Sequence, residues 1–224
     1  MKAVFTFTNY GTTDINGESS DTPNDPDDYG AAMSKAQWDE AMASMLLQDN
    51  VTVAVQGVME YDDRDEPSEI TQIMKTTATA YHTVISRTYN SYYAFENGVY
   101  YSYAQNGPNG EWGREEVERV VMGALLVQNY ITPFMGMYDD LRYDDELHAY
   151  VGSNISCEQN GSTFMLYEVK VQFYANGKVK ELHYISDVLR YSGDDTVGEV
   201  VGKSTLTITF SDYGTTVIEL PVIE

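Results

Sequence analysis

The segment Glu168-Val-Lys-Val-Gln-Phe-Tyr-Ala-Asn-Gly-Lys-Val-Lys-Glu-Leu-His-Tyr-Ile185 decides the fold class of this 224-residue chain. Asn176-Gly177 at its centre is a two-residue turn signal, because both residue types tolerate the positive φ angles of tight hairpins. The runs on either side, 168–175 and 178–185, alternate apolar and polar side chains as strands do. The segment therefore predicts an antiparallel β-hairpin.

Similar signals occur on the N-terminal side of this hairpin. Asn97-Gly98 separates two more strand-like runs, 91–96 and 99–104, and predicts a second hairpin. Further strands are predicted at 51–56, 69–79, 81–88, 206–210 and 216–220. Because tight turns link most neighbours, we expect one antiparallel sheet.

Helical patterns interrupt the strands at two places in the chain. Ser34 and Gln37 have the spacing of a capping box ahead of an apolar stripe, which predicts a helix over 34–47. A second helix is predicted over 114–130, and a short Met-rich helix over 134–142. Helices kept apart from runs of strands indicate an α+β fold, with a large curved antiparallel sheet wrapped around two or three helices. Such a sheet leaves a concave apolar side.

The net charge and the cysteine count exclude several classes of protein. Thirteen Lys and Arg against 35 Asp and Glu give 13 − 35 = −22, whereas binding to nucleic acid or to anionic membranes needs clustered basic residues. No apolar run reaches the ~18 residues of a membrane-spanning helix. Cys157 is the single cysteine, so an intrachain disulfide and a multi-cysteine zinc site are excluded. The Tyr-, Thr-, Asn- and Gly-rich composition is typical of secreted or cell-surface proteins.

An internal repeat links the two ends of the sequence. Val4–Ile15 aligns with Thr207–Ile218, and seven of the 12 positions are identical. Residues 1–16 are interpreted either as the last strand of an upstream copy of the domain or as a related hairpin strand in the same sheet. Residues 17–33, rich in Asp, Ser and Pro, are interpreted as an acidic linker, and residues 34–224 as the domain.

Four features together resemble the periplasmic lipoprotein-carrier (LolA-like) fold and its relatives among secreted bacterial lipoproteins. They are the helix with Trp38, the Tyr-rich hairpin Tyr92–Tyr103 before Trp112, the turn in Phe173–Val179, and the closing segment Phe210–Pro221. The resemblance implies an unclosed antiparallel barrel whose helices plug an apolar cavity for lipid-like ligands. The chain lacks a lipobox cysteine near its start, so an anchor is not implied.

The residue patterns predict no enzyme, no metal site and no cofactor. His82, His148 and His183 lie in separate predicted elements without metal-ligand spacing. No basic residue near Cys157 in sequence would activate its thiol. The acidic pairs Asp139-Asp140, Asp144-Asp145 and Asp194-Asp195 lie in turn-like contexts, which favours solvated loops.

The leading hypothesis is a secreted or cell-surface, non-enzymatic module that holds an apolar or lipid-like ligand in a concave cavity. The candidate ligand-binding residues are Trp38, Met42, Met45, Met122, Leu126, Phe134 and Met137, because methionine adapts to irregular pockets. The expected partners are a lipid or other apolar small molecule and a cell-envelope component. The alternative is a protein- or glycan-binding module of a tandem-repeat surface protein, which the aromatic excess also favours.

Overall fold

Eleven antiparallel strands form one sheet in this computed structural model, which describes residues 28–86, 89–105, 110–118, 124–159, 162–190 and 198–223. The strands are β1 Val51–Tyr61, β2 Ser68–Thr76, β3 Ala80–Ile85, β4 Tyr89–Glu96, β5 Val99–Gln105, β6 Trp112–Val117, β7 Arg142–Asp144, β8 Ala149–Gln159, β9 Ser162–Phe173, β10 Val179–Arg190 and β11 Glu199–Ser211. The helices are α1 Lys35–Met45 and α2 Ala124–Ile131, and 3-10 turns span Thr132–Phe134 and Met137–Asp140.

The strand order is β6-β5-β4-β3-β2-β1-β11-β10-β9-β8-β7. The first and last strands of the described residues, β1 and β11, are therefore neighbours in the middle of the sheet, while β6 and β7 are its two outer strands. This arrangement confirms the predicted large, unclosed antiparallel sheet. No helix in the part of the chain that the structure describes is both long and apolar enough to cross a membrane.

Both predicted Asn-Gly hairpins are confirmed. Asn97 has a φ of 53° between β4 and β5, a value that asparagine tolerates better than most residues. Gly177 has a φ of 81° between β9 and β10, where Tyr174 N donates to Lys178 O at 2.8 Å. These turns set the register of the strands that follow them.

The N-terminal helix is also confirmed. The side chain of Ser34 accepts from the backbone of Gln37, and the side chain of Gln37 accepts from the backbone of Ser34, so the capping box is complete. Trp38, Ala41, Met42 and Met45 form the buried stripe of α1.

The core lies between α1 and one face of the sheet. Val51, Val53 and Val55 in β1 are buried at every second position, as a strand with one buried face requires. Val53 pairs with Phe210 and Val55 with Ile208, so the buried row continues across β11.

The number of helices differs from the prediction. The start of the predicted helix over 114–130 is wrong, because residues 112–117 form β6 and pair with β5. Within that range the described helix is α2, Ala124–Ile131. The predicted helix over 134–142 is replaced by 3-10 turns, with Pro133 at the start of the first turn. Two or three helices inside the sheet are therefore not supported. The described residues contain the eleven-residue α1, the shorter α2 and these turns.

The last predicted strand, 216–220, is not a strand, because its backbone joins no ladder. After β11 the chain turns and crosses to a second cluster, in which Ile218 and Leu220 pack against Ala80, Ala94 and Tyr103. The repeat copy at 1–16 and the linker up to residue 27 lie outside the described residues. Residues 28–33 contact the sheet, where Gly30 N donates to Phe173 O at 2.8 Å.

Candidate ligand-binding cleft

A cleft of ≈ 300 Å³ lies between the 3-10 turns and the β8–β9 hairpin. It is lined by Thr132, Pro133, Met135, Gly136, Met137, Asp140, Ile155, Ser156, Cys157, Glu158 and Phe164. Ligand pockets in proteins start at about 300 Å³, so the cleft has room for part of a small molecule or of an alkyl chain.

The hairpin register produces the sheet side of the cleft. Cys157 pairs with Phe164, and Ile155 pairs with Leu166 two residues earlier along β8. Because side chains alternate along a strand, Ile155 and Cys157 lie on one face, and both pack against the main core. The opposite wall comes from the 3-10 turns, where Met137 is buried and Met135 keeps 40% of its surface exposed.

The lining of the cleft combines apolar side chains with polar and acidic residues. Met137, Ile155 and Phe164 supply the apolar surface, whereas the exposed residues Asp140 and Glu158 supply two carboxylates. A negatively charged lining on a chain of charge −22 favours neutral or cationic head groups over anionic ones.

Cys157 is a packing residue in the cleft and not an activated nucleophile. Burial raises the pKa of the Cys157 thiol, and the negative charge of Asp140 raises it further. A thiol with a raised pKa stays protonated at neutral pH and is a weak nucleophile.

The structure describes the side chains of five of the seven predicted ligand-binding residues. Trp38, Met42, Met45 and Phe134 are buried in the main core, and Met137 lines the cleft. Met122 lies outside the described residues, and only the backbone of Leu126, in α2, is described. Ile155 and Phe164 were not singled out from the sequence, although their place in an alternating hairpin beside Cys157 is a signal that could have found them.

Many tyrosines have structural roles. Tyr138 and Tyr150 each donate a hydroxyl to Met33 O at 2.9 Å, and Tyr143 donates to Gly30 O at 2.9 Å. These three bonds hold residues 30–33 against β7, β8 and the 3-10 turn Met137–Asp140. Burial raises the pKa of Tyr150, which keeps its hydroxyl in the donating form.

The three histidines have separate partners. The ring of His148 stacks on Tyr29, and His183 Nδ1 lies 2.9 Å from Thr207 Oγ1. The ring of His82 stacks on Tyr92 with centroids 4.0 Å apart, and its Nε2 lies 2.9 Å from Asn90 Oδ1. Within the described ranges, no group of three or more His, Cys, Asp or Glu side chains could hold a metal ion.

Protonation of His82 is expected to destabilise the fold. Burial lowers the pKa of His82 below its usual 6.5, and the positive charge of Lys75 lowers it further, against the hydrogen bond to Asn90. The folded chain then takes up this proton less readily than the unfolded chain. The contribution of neutral His82 to the free energy of unfolding is complete above about pH 6.5. It decreases as the pH falls through the pKa of His82 in the folded chain.

Urea unfolding at about pH 7.5 and about pH 5 checks this expectation. The wild-type chain should lose more unfolding free energy between these pH values than His82→Gln, which cannot titrate at this position. Equal losses in the two proteins would contradict it. NMR titration of the His82 ring should also give a midpoint below 6.5.

Comparison with known proteins gives only weak likenesses. No family model matches the chain, and no curated protein matches it. Among solved structures, it is similar to a LolA superfamily protein from Nitrosomonas europaea at 9% identity and a TM-score of 0.26, covering 85% of this chain and 96% of that one. It is also similar to a DUF1329 family protein from Desulfovibrio piger at 10% identity and a TM-score of 0.22, covering 84% and 94%. These scores establish no family, so the function is argued from the cleft.

Proposed function

We propose that the chain is a non-enzymatic binding module that holds an apolar or lipid-like ligand on the concave side of its open sheet. The observation that supports this proposal is the cleft beside Met137, whose lining combines apolar side chains with two exposed acidic residues. Each methylene group that enters such a site contributes about 0.8 kcal/mol. A secreted or cell-surface location and a cell-envelope partner belong to the same proposal.

The acidic residues of the lining restrict the chemistry of the ligand. Asp140 and Glu158 would repel a carboxylate or phosphate head group at the cleft, since neither carboxylate has a basic neighbour in the lining. We therefore expect a ligand whose apolar part enters the cleft and whose head group is neutral or cationic.

Removing apolar surface from the cleft should weaken the binding of an alkyl ligand. Met135→Gln keeps the length of the side chain and replaces its thioether by an amide, so the contact with an alkyl chain becomes less favourable. We expect Kd for decyl maltoside to rise about fivefold, which corresponds to about 1 kcal/mol. Isothermal titration calorimetry below the micelle concentration gives the measurement.

Leu47→Gln is the matched control, because Leu47 is exposed and does not line the cleft. This variant should bind decyl maltoside like the wild-type chain. Cationic decyltrimethylammonium should bind at least as tightly as neutral decyl maltoside, and anionic decanoate should bind most weakly. This order would support the role assigned to Asp140 and Glu158. The proposal fails if none of the three probes binds, or if the two variants lose affinity equally.

Exposed aromatic residues favour the alternative of a protein- or glycan-binding module. Tyr89 and Phe95 in β4 keep 48% and 41% of their surface exposed, and the ring of Phe95 lies 4.7 Å from that of Tyr100. Exposed rings of this kind can stack on sugars or anchor a partner. Binding of soluble glycans that is lost in Phe95→Ala and kept in Met135→Gln would favour this alternative.

A further inference from the structure

Residues 4–15 repeat the sequence of residues 207–218, and the structure shows how the second copy is used. Residues 207–211 are the end of β11, which lies between β1 and β10 in the centre of the sheet. Residues 212–218 turn away from the strand and anchor its end. We call residues 207–218 the closing segment, and the space that it occupies between β1 and β10 the closing slot.

Five residues hold the closing segment in its slot. Phe210 is fully buried in the core. Tyr213 donates its hydroxyl to Val179 O at 2.6 Å, and its side chain packs against the core. Gly214 has a φ of 75°, which few other residues adopt, and its N donates to Asn50 O at 3.0 Å. Thr216 N donates to Asn50 Oδ1 at 2.9 Å, and Ile218 packs on the second cluster.

The repeat at 4–15 is identical at all five anchoring positions. The matching residues are Phe7, Tyr10, Gly11, Thr13 and Ile15. At the position of Asp212, whose φ is 54°, the repeat has Asn9, the other residue type that tolerates this conformation well. At the position of Val217, which is exposed, it has the unrelated Asp14. Five of the seven identities thus fall on anchoring positions, as expected if both copies fill the same kind of slot. The other two match the exposed Thr209 and Thr215, and at the buried Ile208 the repeat has another apolar residue, Phe5.

We propose that residues 4–15 are the closing segment of a second copy of this domain and fill the slot between its β1 and β10. The slot of the present domain is already occupied, because β11 pairs with β1 from Thr52↔Ser211 to Tyr61↔Gly202. The partner is therefore another domain of the same fold. Its backbone carbonyl at the position of Val179 would accept from Tyr10, and an asparagine at the position of Asn50 would accept from the backbone of Thr13.

The test replaces residues 207–218 of the full chain by a copy of residues 4–15. This replacement includes Thr207→Val, which removes the contact with His183, and Ile208→Phe, which adds volume to the core. We expect cooperative thermal unfolding with a Tm lowered by about 10 °C or less. The matched control inserts the same twelve residues in shuffled order, which removes the anchors, and should show no cooperative transition.

Two outcomes would overturn the proposal. The first is a replacement chain that unfolds as the shuffled control does. The second comes from deletion of residues 1–16, which should leave the Tm unchanged if this segment belongs to another copy. A Tm lowered by more than about 5 °C would instead place residues 1–16 in the sheet of their own domain.

Discussion

Trp38→Ala is expected to lower the free energy of unfolding by about 4 kcal/mol. Trp38 is 0% exposed, and its ring lies 5.0 Å from Tyr150, 5.3 Å from Phe173 and 6.0 Å from Tyr138, measured between centroids. All three contacts have edge-to-face geometry, which adds to the apolar area that the ring buries. Alanine would leave a cavity at the point where α1, β8 and β9 meet.

Two control variants separate the volume of the ring from other effects at this position. Trp38 Nε1 is buried and has no hydrogen-bond partner among the described residues, so Trp38→Phe keeps a ring and breaks no hydrogen bond that the structure describes. We expect Trp38→Phe to cost about 1–2 kcal/mol. The exposed Glu40→Ala on the same helix should stay within about 0.5 kcal/mol of the wild-type chain. Urea unfolding of all three variants tests the ranking, and a loss for Trp38→Ala no larger than that for Trp38→Phe would contradict it.

The parts of the fold that the sequence predicted well depend on local signals. The capping box at Ser34 and the turns at Asn97-Gly98 and Asn176-Gly177 need only neighbouring residues, and the structure contains all three. The helix predicted over 114–130 was wrong at its start, because β6 is stabilised by pairing with β5. That pairing joins residues that are up to 17 positions apart, such as Tyr100 and Val117, and a local apolar period does not report it.

The candidate site was harder to predict than the fold, because a buried apolar stripe looks the same whether it faces a core or a cavity. Met42 and Met45 have the spacing of an amphipathic helix, and the structure packs both into the core. The cleft depends instead on residues that approach through tertiary structure, with Met135 on one wall and Phe164 on the other. Only the Met-rich character of the segment around Met137 indicated this region from the sequence.

The close approach of two central strands leads to the second large expected effect. β1 and β11 approach closely at Gly57, where a Cβ atom would lie 2.1 Å from Thr205 O and 2.6 Å from Leu206 Cδ2. A glycine inside a strand is typical of a tight bend or a close backbone approach. Because the backbone of β11 cannot move away without breaking its ladders to β1 and β10, Gly57→Ala should cost about 3 kcal/mol.

Gly113→Ala is the matched control for this substitution. Gly113 also lies inside a strand, but in β6 at the end of the sheet, where the nearest atom to an added Cβ is Ala104 O at 3.8 Å. This variant should be neutral or stabilising by up to about 1 kcal/mol, because alanine restricts the unfolded chain. Urea unfolding should therefore show that Gly57→Ala and Gly113→Ala change the free energy of unfolding with opposite sign or by very different amounts. If Gly57→Ala is as stable as Gly113→Ala, β1 and β11 are not in close contact at Gly57.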